Sequence, residues 1–410
     1  MSAPRIRRVA MAEHPSRDDI NLCSGTFWAG DHHEALTWMR TNAPVYWDGT
    51  VWGITRYDDL KDVSRNAEVF SNAGGIRPGF APLPMMIDMD DPAHLQRRKL
   101  VNKGFTPRRV RDSEPAVRRA CTEILDAVCE TGAADLVGDI AAHLPMIMIG
   151  DALGVRPEHR ADLLRWSDDM VKGQDVNATA EQLDAAATAF GEYWAYATDV
   201  IADRRETPRD DLLSVLVHAE VDGHRFEDDE IIHESLLILV GGDETTRHVI
   251  SGGVHQLLVN PDQWKTVASD PGARLTAIEE MLRWVTPIKN MVRTATRDTM
   301  LADQQIHEGD ELMLLYPSAN RDDAVFDDPF RFDVTRSPNE HVAFGFGPHF
   351  CLGASLARLE ISVMLDEILD RLPDLRLTEP DAAPHLRPAN FISGIEQLAV
   401  QFTPSTPVGP

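Results

Sequence analysis

The stretch FGFGPHFCLG, residues 344–353, places a cysteine where a glycine-rich loop meets a predicted helix. Unpaired N–H groups at a helix N-terminus favour a thiolate and lower the pKa of a cysteine, here Cys351. Gly347 and Gly353 let the backbone approach a sulfur atom and a flat ligand closely, and Phe344 with its aromatic neighbours excludes water. This environment suits a thiolate that binds a metal.

Three alternatives for this cysteine are open on local sequence alone. A lone cysteine is commonly a buried structural residue. A zinc site built from His341, His349 and Cys351 is a second option, although the spacing matches no usual zinc pattern. A cysteine hydrolase is a third, and it would need a histidine base beside the sulfur, for which no motif argues.

A second polar group, LVGGDETTRH at residues 239–248, interrupts an apolar helical stretch. Gly241 and Gly242 each cost about 1 kcal/mol relative to alanine in a helix interior. Close packing against a neighbouring helix would explain the glycines but not Glu244 and Thr245. A carboxylate next to a hydroxyl can move protons, so this stretch is a candidate for chemistry beside a small ligand.

The helices and strands that position these groups are predicted from the spacing of apolar residues and from the prolines and glycines that interrupt them. Apolar residues recur at helical spacing from about residue 92 to 287, and one long helix is predicted from Glu227 to Asn260, with Pro261 after it. Asp48-Gly49 separates two runs rich in valine and aromatic residues, which indicates a hairpin. Strands are predicted within 292–315. The fold is therefore mainly α with small β-sheets (α+β).

Composition sets further limits on organisation and partners. We expect a single domain over 1–410, with about 1–20 and 403–410 loosely ordered, because there is no repeat, linker or composition shift. The net charge of −26 disfavours binding to nucleic acid and to anionic membranes. Four cysteines, no signal peptide and no run long enough to span a membrane predict a cytoplasmic protein.

The cysteine loop and the central helix together resemble a known family. The pattern Phe344-x-x-Gly347-x-His349-x-Cys351-x-Gly353 resembles the haem-ligand loop of the cytochrome P-450 haem-thiolate monooxygenases. The resemblance implies the cytochrome P-450 fold, with haem b between a long central helix and this loop and Cys351 as the iron ligand.

The central helix carries the matching pattern (Ala/Gly)-Gly-x-(Asp/Glu)-Thr. The resemblance implies that Gly241 and Gly242 leave room for dioxygen. It also implies that Glu244 and Thr245 are the catalytic acid–alcohol pair, and it leaves Asp243 without a role.

Glu280 and Arg283, in EEMLRW, lie three residues apart on one helical face. An isolated pair of this kind is usually a surface ion pair worth about 0.3–0.5 kcal/mol. In the family the pair is buried and closed by a third arginine from a PxRF-like segment, which implies Arg331 here, in PFRF.

Basic residues at four positions match the family's contacts to the haem propionates. Two carboxylates on an apolar macrocycle need charge-assisted partners when they are buried. The resemblance implies that His94 and Arg98, on one helical face in DPAHLQRRKL, serve this purpose together with Arg293 and His349.

The implied reaction inserts one oxygen atom of dioxygen into a C–H bond, and it consumes two electrons supplied ultimately by NAD(P)H. The chain has no convincing flavin, nicotinamide or iron–sulfur motif, so the resemblance implies a separate ferredoxin and ferredoxin reductase. A basic cluster in this acidic chain is a candidate docking surface, although a solvated helix face is an equal alternative. It comprises Arg97, Arg98, Lys99, Lys103, Arg108, Arg109 and Arg111.

Longer stretches, such as ILVGGDETTRHVISGG and LRPANFISG, resemble the actinobacterial steroid C-26 monooxygenases. These enzymes hydroxylate the terminal side-chain methyl of cholesterol or cholest-4-en-3-one and can continue to the acid. The alternatives are another apolar lipid (a branched fatty acid or a terpene), a peroxide-driven peroxygenase, and a non-catalytic haem-based sensor or steroid-binding protein. The expected substrate contacts are Ile76, Leu237, Val240, Gly241, Ile288, Met291 and Phe391.

Overall fold

Helices form most of the fold, as the sequence predicts. The computed structural model of the protein describes residues 14–174, 178–221 and 223–409. Its α-helices are α1 (Gly25–Ala29), α2 (His32–Asn42), α3 (Tyr57–Arg65), α4 (Ala93–Val101), α5 (Pro107–Val128), α6 (His143–Ala152), α7 (Arg160–Lys172), α8 (Ala180–Glu206), α9 (Leu212–His218), α10 (Asp228–Val259), α11 (Pro261–Ser269), α12 (Pro271–Val285), α13 (Tyr316–Ala319) and α14 (Ala354–Arg371). Shorter turns of 3₁₀ or π helix are Met86–Asp88, Asn102–Gly104, Leu136–Ala141, Pro157–His159 and Gly347–His349.

The strands form small sheets at the edge of the helical body. They are β1 (Val45–Trp47), β2 (Trp52–Ile54), β3 (Phe70–Ser71), β4 (Ala133–Asp135), β5 (Asn290–Ala295), β6 (Thr299–Leu301), β7 (Gln304–Ile306), β8 (Glu311–Leu315), β9 (Arg376–Leu377) and β10 (Ala399–Gln401). Five of them are ordered β1-β2-β8-β5-β3, three are ordered β4-β10-β9, and β6 pairs with β7. Only β2 and β8 pair in parallel among the described strands.

The predicted hairpin is present, but its turn is longer than two residues. Trp47 pairs with Trp52, so four residues connect β1 and β2. Gly49 has a positive φ of 100°, which favours glycine. The Asp48 carboxylate accepts hydrogen bonds from the N–H groups of Thr50 and Val51 and so closes the loop.

Helix α10 crosses the middle of the molecule with the bounds that the sequence predicts. Glu227 and Glu230 form a reciprocal cap at its start, and acidic residues in the first turn match the helix dipole. The helix ends at Val259 with Asn260 as its C-cap, because Pro261 begins α11. It packs against α6, α7, α12 and α14, and apolar clusters on its two sides contain Leu239 and Val249. A helix buried on most faces holds its side chains at fixed positions, which a reactive site requires.

The end of the chain makes hydrogen bonds to the body of the protein. Residues 403–409 are mostly exposed, yet their N–H groups donate to the Asp374 and Asp126 carboxylates and to the Cys129 carbonyl. Near the start, Ile20 is buried, whereas residues 1–13 of the predicted loose lead-in lie outside the described part. No described helix combines the length and the apolarity needed to cross a bilayer.

Candidate functional site

An internal cavity lies between α10 and the loop that precedes α14. It contains about 1330 Å³ of space free of protein atoms, including its opening to solvent. Most of its lining is apolar, and the segment Phe344–Gly345 and the segment His349–Gly353 contribute to one wall. Gly241, Gly242 and Thr245 of α10 also line it. The two sequence motifs that carry possible chemistry therefore meet in one cavity.

Cys351 lines this cavity and is free of any disulfide. Its N–H donates to the carbonyl of Phe344 at 2.9 Å, which fixes the loop. The side chain is accessible to water yet surrounded by protein, as expected of a group that faces an internal space. Burial raises the pKa of its thiol, and this outweighs the N–H group of Gly353 and the charge of Arg98. The N–H groups at the helix start lower the thiol pKa, as predicted, but burial has the larger effect and the net shift is upward.

The loop conformation explains one of its glycines. Gly347 has a φ of +77°, and a Cβ built there would lie 2.6 Å from the backbone oxygen of Ser64. Both restrictions exclude a larger residue. At Gly353 a Cβ would meet no protein atom within 4 Å. The first glycine shapes the loop, and the second leaves open space next to Cys351.

The four predicted basic residues converge beside the cavity. The rings of His94 and His349 lie 4.0 Å apart, and Arg98 donates to the carbonyl of Phe350. Burial and the positive charges of His94, Arg293 and Arg98 lower the pKa of His349 to about 2.

This basic group fits the two carboxylates of a haem. Arg293 is buried, its guanidinium donates to the carbonyl of Val292, and burial lowers its pKa. Neither Arg98 nor Arg293 forms an ion pair with a carboxylate of the described residues. Buried cations without an anion are costly unless a ligand supplies one. The basic residues, the apolar walls and a thiol between them are the donor set that a thiolate-bound haem requires.

The two glycines of α10 serve different purposes. A Cβ at Gly241 would meet nothing within 4 Å and would point into the cavity. A Cβ at Gly242 would lie 2.6 Å from Cδ1 of Ile149 on α6. Gly241 therefore keeps space open, as predicted, whereas Gly242 mainly permits close packing between α10 and α6.

Thr245 and Glu244 lie on different faces of α10. The Thr245 hydroxyl lines the cavity and donates to the carbonyl of Gly241 at 2.9 Å. The Glu244 carboxylate points away from the cavity, pairs closely with Arg247 and accepts from Arg387 at 3.0 Å. Burial opposes its ionisation, but the neighbouring His248 ring and these two guanidinium groups keep the Glu244 pKa well below its usual value. The hydroxyl of the predicted pair faces the cavity, and the acid does not.

Two acids that the sequence analysis left without a role lie near this network. Asp243 is fully buried, and its carboxyl oxygens make no well-formed hydrogen bond to a described residue, although the Ser167 hydroxyl is close enough to lower its pKa. Burial and the charges of Glu244 and Asp168 raise its pKa to about 7, although Arg247 opposes this. Glu360 on α14 is also buried and lines the cavity. The available signal for Glu360 was a lone carboxylate in the apolar run LARLEISVML.

The buried ion-pair cluster contains a different third arginine from the one predicted. Glu280 and Arg283 are fully buried and joined by two hydrogen bonds of 2.7 Å. The third guanidinium is that of Arg336, whose Nε donates to Glu280 at 3.2 Å. Arg331 has an exposed side chain and supplies only its backbone carbonyl to Arg283. The assignment of Arg331 is therefore wrong, because the chain turns after PFRF and brings the next arginine inward.

The expected substrate contacts divide into two groups. Leu237, Gly241, Ile288 and Met291 line the cavity. The other three are not among its lining residues: Ile76, Val240 and Phe391. The N–H of Ile76 is bonded to Asp88 and its carbonyl to Val292, which fixes it outside the wall. Sequence reasoning missed Met86 and Ile87, which follow a loop and do line it.

Comparisons with known proteins agree with this geometry. A sequence model described as Cytochrome P450 matches residues 275–384. The chain is 53% identical over 401 residues to a steroid C26-monooxygenase of Mycobacterium tuberculosis, covering 97% of this chain and 100% of that protein. It is 52% identical to a steroid C26-monooxygenase of Mycolicibacterium smegmatis with the same coverage.

A solved structure gives the same result for the fold. Cytochrome P450 CYP268A2 of Mycobacterium marinum, in complex with pseudoionone, superposes with a TM-score of 0.87 at 33% identity, covering 95% of this chain and 100% of that one. The mainly helical architecture predicted from the sequence is thus confirmed at the level of the whole fold. The chain belongs to the cytochrome P450 family.

Proposed function

We propose that this protein is a haem-thiolate monooxygenase that hydroxylates the terminal methyl group of a sterol side chain, in cholesterol or cholest-4-en-3-one. The observation that carries the proposal is identity above 50% over nearly the whole chain to two proteins named steroid C26-monooxygenase. The apolar cavity beside Cys351 supports the proposal, because a hydrocarbon chain can fill such a space without leaving polar groups of the protein unpaired.

The chain's own residues would bind and orient the cofactor. Cys351 would hold the iron through its sulfur, and His94, Arg98, Arg293 and His349 would hold the two carboxylates. When bound, a thiolate-ligated haem supplies the redox chemistry that activates dioxygen. The apolar walls exclude bulk water, so that the electrons and protons are used to oxidise the substrate and not in side reactions.

The polar residues of α10 would hold and transfer protons at the cavity. The Thr245 hydroxyl lies in the cavity, where its O–H donates to the Gly241 carbonyl and its oxygen can accept a hydrogen bond. Glu244 anchors the wall behind it through Arg247 and Arg387. For each C–H bond converted to C–OH, one dioxygen, two electrons and two protons are consumed, and one water is released. Oxidation on to the acid would repeat this cycle.

Electrons would come from NAD(P)H through a ferredoxin and its reductase. Within the basic cluster predicted for docking, Arg97 is already paired with Glu230 and Glu234. Lys103 and Arg108 are exposed near α4 and α5, where Lys103 donates to the Glu220 carbonyl at 2.9 Å and Arg108 pairs with Asp112 at 3.4 Å. Their exposure makes these two side chains candidate contacts for an acidic protein.

The proposal is tested by a spectral titration of the haem-loaded enzyme, followed by product identification with a ferredoxin, its reductase and NAD(P)H. The ligands are cholesterol, cholest-4-en-3-one, a branched fatty acid and a terpene. We expect the sterols to shift the haem spectrum and to yield terminal alcohols. Oxidation of only the fatty acid or the terpene would contradict the sterol assignment, and binding without product would indicate a sensor. A Cys351→Ser variant should lose the thiolate-specific spectrum of the reduced carbonyl complex.

A further inference from the structure

Two residues of the cavity wall, Met86 and Ile87, lie on a short 3₁₀ turn that follows an exposed stretch of chain. Residues 81–84 are exposed, whereas Met86 is 7% exposed and lines the cavity together with Ile87. A turn of three residues makes too few internal hydrogen bonds to fix its own position. The position of this part of the wall therefore depends on contacts with the helices around it.

One such contact runs from the turn to α10. The N–H of Met86 donates to Oε1 of Glu234 at 2.8 Å, and Glu234 is fully buried. Ile238 and Gly241 follow Glu234 at one and two helical turns along α10, and both line the cavity. The Glu234 carboxylate therefore ties Met86 to the face of α10 that continues into the cavity wall.

Arg97 of α4 completes this contact. Its guanidinium donates to the carbonyl of Pro84 at 2.8 Å and to Oε1 of Glu234 at 3.0 Å, and it pairs closely with Glu230. The side chain is 12% exposed and lies over the ring of Phe226 at 5.9 Å. A forked guanidinium presents several N–H donors in fixed directions, which an amine does not. Arg97 therefore joins α4, α10 and the chain just before the turn.

Glu234 is a costly residue at this position unless it has such partners. Burial and the charge of Glu230 raise its pKa to about 7, while Arg97 and the N–H of Met86 act in the opposite direction. Its second oxygen, Oε2, has no hydrogen-bond partner among the described residues. An apolar side chain would occupy a buried helix face at less cost. The contacts to Met86 and Arg97, and not packing, therefore explain a carboxylate here.

We infer that Arg97 and Glu234 are positioning residues that fix Met86 and Ile87 in the cavity wall and so determine which carbon of the substrate is oxidised. The inference rests on the proposed function for the identity of the substrate but not for the contacts. In a sterol side chain the terminal C–H bonds are stronger than the neighbouring tertiary C–H bond, so position and not reactivity must select the methyl group. A misplacement of about 1 Å changes a reaction rate roughly a hundredfold.

Hydrogen–deuterium exchange of the haem-loaded enzyme without substrate tests the contacts. Glu234→Leu removes the acceptor of the Met86 N–H, so we expect exchange in the segment 85–89 to quicken roughly tenfold, and Glu234→Gln should restore most of the protection. Arg97→Met should also quicken this exchange. The matched control is Arg205→Met, which removes an arginine paired with Asp228 in the first turn of α10. Unchanged exchange in both Glu234→Leu and Arg97→Met would overturn the inference.

Product analysis with cholest-4-en-3-one, a ferredoxin, its reductase and NAD(P)H tests the effect on selectivity. We expect Glu234→Leu and Arg97→Met to raise KM roughly tenfold and to increase several-fold the share of alcohol at the tertiary carbon. Glu234→Gln should return most of the selectivity, and Arg205→Met should keep all of it.

A small ligand separates positioning from a general loss of structure. Imidazole binds haem iron without needing the Met86 wall, so its affinity should be the same in all variants. Unchanged product ratios would contradict the role in selectivity, as would a tenfold weakening of imidazole binding in the same variants. If the wild type oxidises no sterol while exchange responds to the substitutions, the proposed function fails and the positioning of the turn stands.

Discussion

Thr245 is the alcohol of the predicted acid–alcohol pair, and its hydroxyl faces the cavity. Replacing it by alanine removes that hydroxyl without leaving a buried group unpaired, because its acceptor, the Gly241 carbonyl, belongs to the helix. We expect unchanged sterol binding but a fall of roughly tenfold or more in product per electron, since a positioned proton donor contributes at least that much. NAD(P)H consumption, peroxide and product, measured together, test this. Thr245→Ser should retain the coupling, and equal coupling in wild type and Thr245→Ala would contradict the role.

The sequence predicts which residues of α10 are unusual but not which acid is ionised. The pattern GGDET identifies Glu244 and Thr245 by resemblance. Glu244 is kept ionised by His248 and Arg247 of its own helix and also by a long-range partner, Arg387, which is 143 residues away. Such long-range partners leave no local signal. For the same reason the burial that raises the pKa of Cys351 was not visible from its position before a helix.

The helix that carries Glu280 and Arg283 is tied to the loop after α13 by Arg336. Arg336 is nearly buried and also donates to the backbone carbonyls of Asp327 and Arg331. Arg336→Ala removes one donor from the buried Glu280 carboxylate and one from each of these carbonyls, so we expect the free energy of unfolding to fall by about 1–3 kcal/mol. Arg331→Ala is the matched control and should change it by no more than about 0.5 kcal/mol. Denaturant unfolding of both variants tests the corrected assignment, which would be wrong if Arg331→Ala were the more damaging.

Lys289 closes the C-terminal end of α12. Its buried amine donates to the carbonyls of Val285 and Thr286 at 3.3 and 3.0 Å. Burial, aided by the charge of Arg321, lowers its pKa to about 7. Between this value and the unfolded value near 10.5, the unfolded chain binds more protons, so a rise in pH favours the folded state.

We therefore expect the free energy of unfolding to gain, from Lys289, up to about 1.4 kcal/mol per pH unit between pH 7 and roughly 10. Lys289→Met should lack this gain, whereas Lys265→Met, at an exposed lysine of α11, should keep it. Unfolding of the three proteins across this pH range measures the difference. Parallel pH profiles for wild type and Lys289→Met would show that the amine is not held in its neutral form.

The sequence predicts the positions of helices and strands better than it predicts which of their side chains line the cavity. The bounds of α10 and the hairpin at Asp48-Gly49 follow from caps, breakers and alternation, which are local signals. Whether a residue lines the cavity depends on how its helix or strand is rotated about its own axis. Val240 lies on the same predicted stretch as Leu237 and Gly241, yet only the latter two line the cavity. Helical spacing alone does not fix that rotation.

The whole molecule carries a net charge of −26, so an acidic redox partner is repelled except where basic side chains cluster. Lys103 and Arg108 are exposed near α4, the helix that also bears His94 and Arg98. A protein docked there would lie close to the proposed haem edge. Because Arg97, Arg108 and Arg109 are paired with carboxylates of the chain, a docking surface and a solvated helix face stay alternatives.

Reversal of both charges, Lys103→Glu with Arg108→Glu, should lower the second-order rate of reduction by ferredoxin roughly tenfold or more at low ionic strength. The effect should shrink as salt rises, because exposed charges are screened over about 10 Å at 0.1 M. Sterol binding should not change. The matched control reverses Arg156 and Lys172, exposed residues before and at the end of α7. The measurement is stopped-flow reduction at several salt concentrations, which distinguishes a local docking surface from general repulsion. Equal slowing by the control variant would mean that net charge alone causes the effect.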